Sequence, residues 1–131
     1  MIDVEIDVFN KVYNAILAEY PSAYITGEYV RMPESFPHVS LIEMSNTVYE
    51  RASALSKIEN AVRVMYEANI YSNLVTGKKS QCKAILAILD SEMEDMGFIR
   101  TQAQPTPNLE DATIYRIVAR YERIIANNEE V

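Results

Sequence analysis

A chain of 131 residues, 49% apolar and 24% charged, has the make-up of one globular domain and is long enough to bury a core without disulfide staples. Twelve basic against nineteen acidic residues leave a formal net charge of −7, which argues against electrostatic binding of a phosphate backbone. The single cysteine, Cys82, rules out an internal disulfide and a cysteine-rich metal site.

The first residues, MIDVEIDVFN, put acids where a secretory leader needs bases. No window approaches the roughly 18 apolar residues of a membrane span. The expectation is a protein made and kept in a cytoplasm unless a larger particle carries it.

Residues 3–20 read as a helix because Phe9, Val12, Tyr13, Ile16, Leu17 and Tyr20 recur at helical spacing, and Pro21 ends it. Asp3, Glu5 and Asp7 lie in its first turns, where they complement the helix dipole. Residues 23–31, AYITGEYVR, alternate as a first strand with Gly27 as a bulge or close-approach point. Pro33 and Pro37 make 32–37 a loop. Residues 39–46 alternate again with both faces apolar, Val39 and Leu41 on one and Ile42 and Met44 on the other, as a central strand requires.

The segment 47–60, TVYERASALSKIEN, is expected to form a hairpin that protrudes beyond the sheet. In 61–72, Val62, Val64, Tyr66, Ala68 and Ile70 keep a period of two, with Arg63, Glu67 and Asn69 between them. After the turn at Gly77 the period changes. Cys82, Ile85, Leu86, Leu89, Met93 and Met96 form one helical stripe, and Gly97 closes the helix. A short strand over 98–104 follows, then a stiff exposed loop, QPTPNLED, containing Pro105, Pro107 and Asn108. The last strand covers 112–125, with Tyr115, Ile117, Ala119 and Tyr121 on one face and Arg116, Val118, Arg120 and Glu122 on the other. An acidic tail, 126–131, is expected to be mobile.

The order α-β-β-β-α-β-β with short connections predicts an α+β fold in a single domain. Its sheet is one mostly antiparallel layer of four to five strands, with both helices on one face. The opposite sheet face then carries Arg63, Met65, Glu67 and Tyr71 from one strand and Arg116 and Arg120 from another, a mixture suited to a wet protein contact.

No catalytic constellation is evident. The only histidine, His38, has no nucleophile near it in sequence. Thr76-Gly77-Lys78-Lys79-Ser80 echoes the end of a phosphate-binding loop, but Ser72 stands where that motif needs its first glycine. Asp90, Glu92, Glu94 and Asp95 spread around a helix axis and read as a solvated face. No catalytic, cofactor-binding or metal-binding residue is assigned.

The segments FPHVSLIEMSNTVYER, IENAVRVMYEANIYSN and GFIRTQAQPTPNLEDATIYRIVARYE resemble the small tail-terminator, or tail-completion, proteins of tailed bacteriophages, over most of the chain and by overall pattern rather than a catalytic signature. The resemblance implies a structural head–tail joining protein and no enzyme. Such a protein forms a ring, a hexamer in long-tailed phages, at the neck of a virion assembled in the host cytoplasm. Its partners would be further copies of itself, the tail tube protein and a head–tail connector or adaptor, with DNA passing through the lumen and no membrane or cofactor involved. A ring closed by one repeated contact needs two different patches per subunit. The open sheet face, the hairpin residues Tyr49 and Arg51, and the loop residues Pro105, Pro107 and Asn108 are the candidates. Another neck ring protein is the alternative reading. A small α+β enzyme or ligand-binding domain would need a pocket giving His38 a carboxylate or hydroxyl partner.

Overall fold

A computed structural model describes residues 1–49, 61–108 and 111–131. Its elements run α1 (Glu5–Glu19), β1 (Tyr24–Thr26), β2 (His38–Val48), β3 (Ala61–Ser72), α2 (Lys78–Asp95), β4 (Ile99–Pro105) and β5 (Tyr115–Ala126). This is the expected α+β order. The sheet has five strands in the order β1-β2-β3-β5-β4.

The sheet is mixed, not mostly antiparallel as expected: β1 pairs with β2 in parallel, and the other neighbours are antiparallel. The cause is the connection 27–37. It is long enough to return the chain to the start of β1 before β2 begins, so Tyr24 faces His38. The first strand is also shorter than its alternation suggests. Glu28 N donates to Thr26 Oγ1 at 3.2 Å, which turns the chain away after three paired residues.

The inner sheet face is the one the long strand's period predicts. Val62, Val64, Tyr66, Ala68 and Ile70 are all buried, together with Ile117, Ala119, Tyr121 and Ile125 of β5. The α2 stripe Cys82, Ile85, Leu86, Leu89, Met93 and Met96 packs into the same cluster as Val8, Val12 and Ile16 of α1, so both helices cover one face. In α1 the buried line is Val8, Val12 and Ile16, continued by Val4 just before the helix, while Tyr13 stands at its exposed edge, 5.7 Å from the Phe9 ring. Cys82 is fully buried, and burial pushes its thiol up to about 12, the state of a small hydrophobe rather than a nucleophile.

Gly97 ends α2 with φ +82°. Its N–H donates to Glu94 O and that of Phe98 to Met93 O, each at 2.9 Å, and Met93 and Phe98 are both buried. These two bonds and the apolar contact form a Schellman cap. From β5, Arg123 Nη1 donates to Met96 O at 2.6 Å, which places a cation at the negative end of the helix.

A bulge at Met44 shifts the β2–β3 register between Glu43 and Ser45. Inner positions therefore pass from Leu41 and Glu43 to Asn46 and Val48, which swaps the faces half-way along the strand. Beyond Val48, Tyr49 N donates to Ala61 O at 2.9 Å. The rest of the expected hairpin, with Arg51, lies outside the described residues. At the other end of the chain, Glu129 accepts from Arg123 Nη2 at 2.9 Å, so the acidic tail turns back along β5.

Candidate functional site

The outer sheet face carries no helix among the described residues, and its side chains follow from the register. Across β2, β3, β5 and β4 the rows are His38, Tyr71 and Arg116; Ser40, Asn69, Val118 and Gln104; Ile42, Glu67, Arg120 and Gln102; Ser45, Met65, Glu122 and Ile99; and last Thr47, Arg63 and Ile124. The sheet thus brings together six expected residues: Arg63, Met65, Glu67, Tyr71, Arg116 and Arg120.

Four of the polar side chains form one connected line. Arg116 donates to Asn69 Oδ1 through Nε at 3.1 Å and Nη2 at 2.6 Å; Asn69 Nδ2 donates to Glu67 Oε1 at 3.1 Å. Arg120 Nε donates to Glu67 Oε2 at 3.1 Å. Asn69 is fully buried, so the outer face rests on a satisfied polar network and not on water alone. In the Arg120–Glu67 pair the guanidinium side is half in solvent, which screens the pair and limits what it adds to stability by itself. What the line does is fix the direction of two guanidinium groups.

Tyr71 sits on this face as the register requires, yet it is only 2% exposed. The His38 ring meets it edge-on with centroids 5.6 Å apart, and Arg116 Cζ lies 5.5 Å from its centroid. Tyr71 therefore supports Arg116 and offers no contact surface of its own. At that end Thr106 N donates to Arg116 O, so exposed Pro105, the last paired residue of β4, and Pro107 lie at the sheet edge beside Arg116, with Asn108 half-buried next to them. Tyr49 lies at the opposite end, beside Ala61. The loop residues and Tyr49 thus lie at opposite ends of the sheet, with the six grouped residues between them.

Two apolar residues on this face were not among the expected ones. Ile99 is 69% exposed and Ile124 is 43% exposed, and they flank Met65 and Glu122 in adjacent rows. Strand parity was the available signal, since Ile124 is two places from Glu122 on the face already identified.

His38 is buried at the start of β2, stacked on Tyr24 with centroids 5.1 Å apart. It borders a cavity of about 250 Å³ with Glu34 and Ser35, but neither ring nitrogen has a hydrogen-bond partner among the described residues. Burial holds its pKa below the usual histidine range. A general base needs an orienting partner, and His38 has none there. Lys78, after the glycine turn, donates to Thr113 O at 3.1 Å, and Asp90 accepts from Arg100 and from the Tyr121 hydroxyl. Among the described residues no group of acids, histidines or cysteines is placed to hold a metal ion, and no helix is long and apolar enough to cross a membrane. A scan against protein-family models finds no match, and a search of curated proteins finds no relative.

Proposed function

We propose that this protein is a structural ring subunit, a phage tail terminator in type, which assembles with copies of itself through the outer sheet face. The observation that carries this reading is the grouping of half-buried Met65 with exposed Ile99 and Ile124, beside Arg63 and an Arg120 held by Glu67, on the outer sheet face. Apolar anchors among arginines are what a protein interface favours over open water. The resemblance of the segments 36–51, 58–73 and 97–122 to tail terminators supplies the partners. They are the tail tube protein on one side of the ring and a head–tail connector or adaptor on the other, with DNA passing through an acidic lumen that does not retain it.

The test is light scattering coupled to gel filtration, with and without tail tube protein. A ring, or a complex with tube ends, is expected from the native chain, and loss of both is expected from Ile99→Asp with Ile124→Asp. A native chain that stays monomeric and leaves tube ends unbound at every concentration overturns the proposal.

A further inference from the structure

On the inner side, a cleft of about 370 Å³ opens between the first turns of α1, the end of β1 and the middle of β2. Its walls are Ile6, Phe9 and Leu41, its rim holds Glu5 and Glu28, and Tyr66 lies at its floor. Tyr66 is 1% exposed, and its hydroxyl has no hydrogen-bond partner among the described residues. Glu43, directly opposite Tyr66 in the β2–β3 register, has a buried Oε1 in the same condition. The Glu43 carboxyl is close enough to Glu5 and Asp3 to feel their charge and to Asn46 to meet its amide, and Asp3 and Glu5 act on Tyr66 as well. Orphaned buried acceptors are costly, and a donor that satisfies them offsets that cost.

We infer that this cleft is a binding site for an organic cation on an apolar stem, an alkylammonium or alkylguanidinium group. The head would donate to the Tyr66 oxygen and the Glu43 and Glu5 carboxylates, and the stem would lie along Ile6, Phe9 and Leu41. The volume suits a small ligand or one long side chain. A metal ion fits less well, because the acids here are not placed as a ligand set.

Binding is coupled to a proton. Burial, and then the charge of Glu5, raise the Glu43 carboxyl to about 7, with Asp3 adding to the rise and Asn46 opposing it. A cation displaces that proton, so affinity rises about tenfold between pH 6 and pH 8.

The test is a titration followed by amide NMR shifts of Gly27, Leu41 and Tyr66, using n-butylguanidine and n-butylamine as probes, with n-pentanol and magnesium chloride as controls. Saturable shifts from the two cations, stronger at pH 8, are expected. Glu43→Gln should weaken binding at least fivefold and flatten its pH dependence. Gly27→Leu should abolish binding while leaving the fold intact, since a Cβ there meets Phe9 at 3.7 Å and Leu41 O at 3.8 Å, ordinary contacts. Putrescine compared with an N-acetylated Gly-Arg-Gly amide separates a free amine from a protein side chain as the natural source, and tighter binding of either supports the cation site. Equal binding of n-pentanol, the same shifts from magnesium, undiminished binding to the Gly27→Leu protein, or no saturable shift overturns it.

Discussion

Arg116 on β5 holds Asn69 on β3 by two hydrogen bonds to one oxygen, 3.1 Å and 2.6 Å, across the outer sheet face. The amide is fully buried and also donates to Glu67, so it joins the two halves of the polar line. Asn69→Ala would leave the guanidinium over Tyr71 without its acceptor. The expected cost is about 1–3 kcal/mol, read as a lower urea midpoint with an unchanged slope. An unchanged midpoint would mean that water replaces the amide at no cost, and that the line does not stiffen the face.

Gly97 and Gly77 both have positive φ, +82° and +87°, but only one is crowded. A Cβ at Gly97 would lie 3.1 Å from Arg123 Nε and 3.2 Å from its Cζ, whereas at Gly77 nothing lies within 4 Å. Gly77→Ala should therefore cost only the left-handed backbone penalty, about 1–2 kcal/mol. Gly97→Ala should cost more, because it also pushes Arg123 off Met96 O. Thermal melts of the two variants side by side give the difference, and equal losses would remove Arg123 from the account.

Much of this architecture was legible in the chain, and the reasons are local. Val62 to Ile70 alternate because β3 is central and one of its faces is dry, and the α2 stripe from Cys82 to Met96 is continuous because a single side of that helix is covered. Periodicity reports burial, so it places these elements well. It does not report pairing direction. The parallel β1–β2 contact depends on how 27–37 folds back, and the Met44 bulge changes which side chains of β2 face inward without changing the composition of the strand. The candidate face was legible for the same reason as the core, by parity, which gathered Arg63, Met65, Glu67, Arg116 and Arg120 but not the burial of Tyr71. That burial comes from His38 and Arg116, neighbours distant in sequence. The cleft at Tyr66 was illegible for a stricter reason: its acids Glu5, Glu28 and Glu43 come from α1, from the connection after β1 and from β2, whose approach only the tertiary structure sets.

Leu89 and Leu86 share the α2 stripe but not its depth. Leu89 is fully buried and Leu86 is 9% exposed. Leu89→Ala should cost about 3–5 kcal/mol and Leu86→Ala about 2–3 kcal/mol, because the shallower site can collapse or admit water. Chemical denaturation of both variants checks the order, and a reversal would place the centre of the core nearer the start of α2.

His38 makes stability depend on pH. Its folded pKa lies below the unfolded value of 6.5 because it is buried. Above 6.5 neither state carries the proton and the residue contributes no slope. As pH falls through 6.5 the unfolded chain takes up a proton that the folded chain refuses, so stability drops. His38→Phe keeps the stacking on Tyr24 and Tyr71 and removes the titration. The variant's advantage in melting temperature should widen steadily from pH 7 to pH 5, and a constant gap would show that His38 titrates freely in the folded state.

Glu43 gives a slope of the opposite sign. Its folded pKa is raised from 4.5 to about 7, first by burial and then by Glu5, so the folded state holds a proton that the unfolded state has already lost. The stability this provides is fully present below 4.5 and disappears as pH rises through 7. Glu43→Gln fixes the neutral form. The variant should match the native protein at pH 4 and exceed it at pH 8, with the difference growing between those values, while His38→Phe separates from the native protein only on the acid side. Each effect is visible only as a difference from the native chain, since in the native chain the two slopes partly cancel between 4.5 and 6.5. A Glu43→Gln protein less stable than the native one at pH 8 would mean that ionised Glu43 already has a cationic partner, which would also remove the basis for a cation site at Tyr66.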